Sequence, residues 1–190
     1  GRDSFLKKVS LLVMKILFCD NSLRELVNFR EKVFDDFAEK GHDIVLLAPK
    51  NRDYVPKYGN VKVLDIDLKR GSMNPISDLG LFFKLVRIYR SENPDYVIHY
   101  TIKPNVYGSL AAAILRIPST SMIAGLGYTF SSNTLGCRVA RSLYRFAMKF
   151  PEHILVLNKY NHDLILSHKI GNRKQVILLK GGEGVDLDKF

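Results

Sequence analysis

The sequence has no tryptophan, two cysteines in 190 residues, and few acids: 19 Asp plus Glu against 29 Lys plus Arg, a net charge of +10. Two cysteines, Cys19 and Cys137, cannot make a disulfide scaffold and fit a reducing compartment. No apolar run approaches the roughly 18–20 residues of a membrane-spanning helix. With 46% hydrophobic and 25% charged residues, the chain is neither disordered nor fibrous. Its length suits one ordinary domain. The apolar stretch Val9–Cys19 after Lys7 and Lys8 is broken by Lys15 and lacks a small-residue cleavage site, so it is not read as a signal peptide. Residues 1–13 are read as an extension or expression remnant, and 14–190 as the domain.

Chemical signatures are equally sparse. A dinucleotide site needs G-x-G-x-x-G after the first strand, but Asp20-Asn21-Ser22-Leu23-Arg24 stands there. There is no G-x-x-x-x-G-K-[ST], no C-x-x-C and no G-x-S-x-G. His42, His99, His153, His162 and His168 are scattered without a carboxylate pattern. The expectation is therefore no bound metal and no resident cofactor. Asp20 alone is not the acidic pair of a receiver domain.

What is present is alternation. Short apolar runs (Ile16–Cys19, Ile44–Ala48, Val61–Ile66, Tyr96–Tyr100, Ser119–Ala124, Ile154–Leu157, Val176–Leu179) are separated by helical patterns. The helices are expected at Leu23–Lys40, Pro75–Arg90, Pro104–Leu115, Leu135–Phe150 and Asn158–Ile170. Such alternation predicts an α/β fold: a doubly wound, mostly parallel sheet of about seven strands with helices on both faces. Ligands of such sheets bind beyond the carboxyl ends of the strands. That makes Asp20, Asn21 and Ser22, the loop 69–75, Thr101–Asn105, Gly125–Tyr128 and Gly181–Gly184 the segments to watch. Lys103 and Asn105, beside Pro104 at a helix start, offer an anion site or a solvated cap. Gly125 and Gly127 allow close backbone approach or make a plain turn.

The positive charge is concentrated. Arg138, Arg141, Arg145 and Lys149 share one face of Leu135–Phe150, beside an apolar face of Leu135, Val139, Leu143, Phe146 and Phe150. Residues 69–90 add Lys69, Arg70, Lys84, Arg87 and Arg90 against one acid, Asp78. Two basic amphipathic helices suit an anionic membrane surface. Nucleic acid is not expected, because the aromatics fall at core periods rather than among the basic residues.

The chain resembles the N-terminal domain of glycosyltransferase family 4 enzymes. The resemblance rests on Phe29-Arg30, Lys40-Gly41-His42-Asp43-Ile44, Arg70-Gly71-Ser72-Met73-Asn74-Pro75, Lys103-Pro104-Asn105-Val106-Tyr107-Gly108, Gly125-Leu126-Gly127, Val156-Leu157-Asn158 and the final Gly184-Val185-Asp186-Leu187-Asp188-Lys189-Phe190. The nearest likeness is to bacterial transferases that extend polyprenyl-diphosphate-linked sugars in surface-polysaccharide or glycan assembly. The resemblance implies one Rossmann-like half of a GT-B fold, with Gly184 and Asp186 near its hinge. It implies retaining transfer from a nucleotide-sugar held by a C-terminal donor domain that this sequence does not include. It also implies a lipid-linked saccharide acceptor at Arg30, Arg70, Asn74, Thr101, Lys103, Asn105, Gly125 and Gly127, and a place at the cytoplasmic face of the membrane. The family's glycine-rich loop after the first strand is replaced by Asp20-Asn21-Ser22, and the histidine some members carry is absent at Ala124 and Gly125, so no catalytic base is assigned. Two roles follow: an acceptor domain inactive alone, or a non-catalytic membrane-anchoring subunit of a split transferase.

Overall fold

The computed structural model describes residues 13–68, 75–125 and 134–179. The expected sites Arg70, Asn74, Gly127, Gly184 and Asp186, and residues 1–12 of the expected extension, lie outside them. Strand β1 (Lys15–Cys19) leads to α1 (Leu23–Glu39), β2 (Asp43–Ala48) and β3 (Val61–Asp65). Then come α2 (Pro75–Glu92), β4 (Tyr96–Tyr100), a π-helical segment (Pro104–Gly108), α3 (Ser109–Ile114) and β5 (Ser119–Ile123). Helix α4 (Leu135–Ala147), β6 (His153–Val156), α5 (Lys159–Ser167) and β7 (Val176–Leu178) complete the order. The seven strands form one sheet, β3-β2-β1-β4-β5-β6-β7, with every pairing parallel.

Alternate residues of β1 feed the two faces. Ile16 and Phe18 join Leu26, Phe34 and Leu46 beneath α1. Leu17 and Cys19 join Leu85, Tyr89, Ala111 and Ala112 beneath α2 and α3. Strands buried on both faces explain the near-continuous apolar runs. A third cluster, Ile123, Tyr144, Ile154, Ile165 and Val176 among them, sits under α4 and α5.

Helix ends follow the sequence. Ser22 caps α1, its Oγ accepting from the Glu25 N–H at 3.2 Å. Gly41, at φ +87°, closes it: the Gly41 N–H reaches Ala38 O and the His42 N–H reaches Phe37 O. That is a Schellman ending. Three helices differ from expectation, and α5 is one: Asn158 is its cap, and it ends at Ser167 rather than Ile170. Helix α4 stops at Ala147, because a tight turn and then Pro151 end it before Phe150. The helix expected from Pro104 to Leu115 begins as a π-helical turn and becomes α-helical at Ser109. Gly108 explains the wide turn: it is pressed against His99 and Tyr89, where a Cβ would lie 2.5 Å from His99 Nε2.

Candidate functional site

The strand order reverses between β1 and β4, and a crevice opens there beyond the strand ends. It holds a cavity of about 310 Å³. Asn21 after β1, Arg30 of α1, Tyr100 at the end of β4, Thr101 and Lys103 after it, Asn105 of the π segment, Met122 of β5 and Gly125 after β5 line it. The structure thus brings together five of the eight expected acceptor residues: Arg30, Thr101, Lys103, Asn105 and Gly125.

Each is held differently. Arg30 is buried, 8% exposed, with its guanidinium 4.4 Å from the centre of the Tyr100 ring. Tyr100 stacks in turn on Phe18 of β1, so the cation rests on an aromatic floor built by two strands. Thr101 has φ +68°, a left-handed backbone that a β-branched residue rarely adopts. Such strain costs about 1–3 kcal/mol and gathers at functional sites. Its carbonyl accepts from the Asn105 N–H at 2.9 Å, an α-type turn that leads into the π segment. Asn105 is 1% exposed. Its Nδ2 donates to Met122 O at 2.8 Å and lies 3.4 Å from Tyr144 Oη, which fixes the amide orientation. Its Oδ1 has no hydrogen-bond partner among the described residues. The Tyr144 phenol, raised by burial, stays neutral.

Lys103 is not a free charge. Its ammonium lies 2.7 Å from Asp78 Oδ1, and the Tyr107 hydroxyl donates to the other Asp78 oxygen at 3.0 Å. Sequence reasoning counted Asp78 only as a lone acid in a basic stretch. It also missed Tyr100, Met122, Tyr107 and Tyr144, because no local pattern marks residues that meet only through the fold. At a helix start Lys103 and Asn105 were expected to offer free N–H groups, but the Asn105 N–H is engaged by Thr101 O.

The loop after β1 divides its roles. Asp20 is fully buried, its Oδ1 accepting from the Asn21 N–H at 2.6 Å. Ser22 is a helix cap and also accepts from Asn51 Nδ2 at 3.0 Å. Asn21 alone of the three lines the cavity.

A second concavity, about 610 Å³, lies between α2, α3 and α4. Leu79, Phe82, Leu110, Ile114, Leu143, Phe146 and Phe150 line it, with Asp78 and Tyr107 at its polar end. Lys103 belongs to the first cavity and its partner Asp78 to the second. Helix α4 shows three sides: Tyr144 and Ala147 buried, Leu135, Val139 and Phe146 exposed and apolar, and Arg138 and Arg145 exposed and basic. Arg145 Nε donates to His168 O at 2.8 Å. Among the described residues no group of three or more His, Cys, Asp or Glu side chains could hold a metal, and no helix is long and apolar enough to cross a membrane.

Residues 15–168 match the family model described as "Glycosyl transferase 4-like". The chain belongs to that family. A relative from Campylobacter jejuni, named N,N'-diacetylbacillosaminyl-diphospho-undecaprenol alpha-1,3-N-acetylgalactosaminyltransferase, is 24% identical over 184 residues. That alignment covers 93% of this chain and 48% of the relative. Among solved structures, a glycosyltransferase from Rickettsia africae superimposes with a TM-score of 0.63 at 12% identity, covering 88% of this chain and 43% of that one. HepE of Anabaena, solved with UDP-glucose, gives 0.59 at 19% identity, covering 92% and 45%. The glycosyl transferase 4-like chain described here therefore spans about half the length of the relatives it matches, and the α/β Rossmann-like sheet expected from its sequence is the shared part.

Proposed function

We propose that this chain is the acceptor-binding half of a retaining glycosyltransferase, which moves a sugar from a nucleotide-sugar to a lipid-diphosphate-linked saccharide. The observation that carries this reading is the cavity at the switch point, where Arg30 and Lys103 stand beside the hydrogen-bonding Thr101, Asn105 and Asn21. A saccharide needs donors and acceptors on a floor it can stack on, and a diphosphate needs cations. The name of the Campylobacter relative carries the same combination of diphosphate, polyprenol and sugar.

The exposed apolar and basic sides of α4 lie next to each other and hold the domain on an anionic bilayer, each basic residue adding about 1 kcal/mol of attraction. The donor nucleotide-sugar belongs to a second Rossmann-like domain, supplied by the same polypeptide or by a separate chain. Transfer requires the two to close and exclude water, so the chain by itself turns over no substrate.

Titration of the purified chain with a polyprenyl-diphospho-sugar in liposomes, and separately with nucleotide-sugars, tests this. Lipid bound and nucleotide ignored, with binding weakened by Arg30→Lys or Lys103→Ala, is the expected result. Nucleotide-sugar bound and lipid ignored overturns it. Turnover by the chain alone overturns the dependence on a second domain.

A further inference from the structure

We propose that the apolar groove between α2, α3 and α4 takes the hydrocarbon chain of the lipid carrier, and that Lys103, Asp78 and Tyr107 mark where its diphosphate crosses from groove to cavity. This rests on the acceptor reading above and adds an occupant for a surface that reading leaves empty.

Three observations carry it. The first is order. A cavity that carries Arg30, Thr101 and Asn105, a lysine and an apolar groove follow one another, joined by the Lys103–Asp78 pair at 2.7 Å. Saccharide, diphosphate and hydrocarbon follow in the same order along a lipid-linked sugar. The second is chemistry. Asp78 and Tyr107 are the two lining residues of the groove that carry polar side-chain groups, and they are hydrogen-bonded to each other. The rest of the lining offers no hydrogen bond to a sugar or an extended peptide, and suits a hydrocarbon. The third is exposure and charge. Leu79 is 56% exposed, Ile114 62% and Phe146 51%, a cluster that water disfavours. Helix α4, which supplies Phe146, carries no acid, and its basic side adjoins this apolar one. The groove therefore shares exposed Phe146 with the helix that suits an anionic leaflet.

Lys103 keeps its place through Asp78, and among the described residues its ammonium uses one of its three donors. A diphosphate oxygen at the seam engages those donors without breaking the pair.

The test is a titration of the purified chain with farnesyl diphosphate and with inorganic diphosphate. The proposal expects farnesyl diphosphate to bind about tenfold more tightly or better, as burial of even two methylene groups would give. Ile114→Asn combined with Phe146→Ser should abolish that advantage and leave inorganic diphosphate unaffected. Both positions are exposed, so thermal melting should show the variant folded as the parent. Lys103→Met should weaken both ligands. An unchanged preference in the double variant overturns the groove assignment. So does a double variant that loses vesicle binding but keeps the preference, which makes the groove a bilayer contact only. A chain that binds the polyprenyl-diphospho-sugar with the groove substitutions present loses this inference and keeps the acceptor reading. A parent chain that ignores that lipid loses both.

Discussion

Strand β4 and the π segment after it serve two regions at once, and the two are built on opposite rules. On the helical side, His99 is fully buried, with Tyr89 Oη 2.9 Å from its Nε2 and Ser109 Oγ 3.4 Å from its Nδ1. Ser109 passes the network on to Ser121 at 2.9 Å. Both ring nitrogens have a partner, and His99 lines neither of the two cavities described above. Beyond the strand end, Thr101 is strained, the Asn105 Oδ1 has no partner among the described residues and Arg30 borders open space. Burial pulls the His99 imidazole down to about 3, yet it sits in the satisfied region. A strongly shifted group thus marks a site only where something can reach it. Spare hydrogen-bonding capacity beside a cavity is the better indicator here.

The sharpest way to break this comparison is at Gly108. An added Cβ would meet His99 Nε2 at 2.5 Å and Tyr89 Oη at 2.9 Å, both held by the buried network. Gly108→Ala should cost about 3 kcal/mol, from overpacking and a lost buried hydrogen bond. In a domain of this size that lowers the melting temperature by about 10 °C. A shift below about 2 °C would show that the region is not tightly packed.

Acid probes the same region more gently. His99 titrates near 6.5 when unfolded and near 3 when folded. Its contribution is present above pH 6.5 and is lost as pH falls toward 3, because the unfolded chain takes up the proton first. By pH 5 the loss is about 2 kcal/mol. Urea midpoints at pH 7.5 and pH 5 should show this drop in the parent, and a smaller one in His99→Gln.

The outer surface should respond in function and not in stability. Arg138 on α4 and Lys149 in the turn just after it are both exposed. Replacing both with Gln should weaken binding to anionic vesicles by about 2 kcal/mol, roughly thirtyfold, and leave melting unchanged. Equal binding to neutral and anionic vesicles in the parent would remove the membrane role from this helix.

How far these regions could be read in advance follows from distance along the chain. The sheet was legible because each strand is a local run, such as Ile44–Ala48 with its burial on both faces. Arg30, Thr101 and Asn105 were legible as candidates because they adjoin strand ends or carry motif residues. The Lys103–Asp78 pair was not, since the partners are 25 positions apart with a strand between them. Nor was the π turn: Pro104 and the alanines 111–113 read as a regular helix. What widens the turn is the packing of Gly108 against His99, which no helical period encodes.

That pair separates structure from binding. Lys103 and Asp78 side chains are 17% and 14% exposed, between a surface and a buried bridge. Either Lys103→Met or Asp78→Asn should cost about 1 kcal/mol of stability. They should differ toward anions: Lys103→Met loses diphosphate affinity, whereas Asp78→Asn keeps or gains it by removing a negative charge. Equal losses would make the pair a structural tie and nothing more.

The smallest expected effect is at the second glycine of the comparison. Gly125 lies two residues past β5 at the cavity wall, has no positive φ, and an added Cβ would meet nothing within 4 Å among the described residues. Gly125→Ala should therefore leave stability within about 0.5 kcal/mol of the parent. The methyl group would narrow the cavity where a saccharide has to approach the backbone, so affinity for the lipid-linked sugar should fall severalfold. The same substitution at Gly108 should do the reverse, lowering stability while the remaining folded fraction binds normally. A melting loss at Gly125 as large as that at Gly108 would mean the strand end is packed like the core, and the division between a satisfied interior and a receptive rim would not hold.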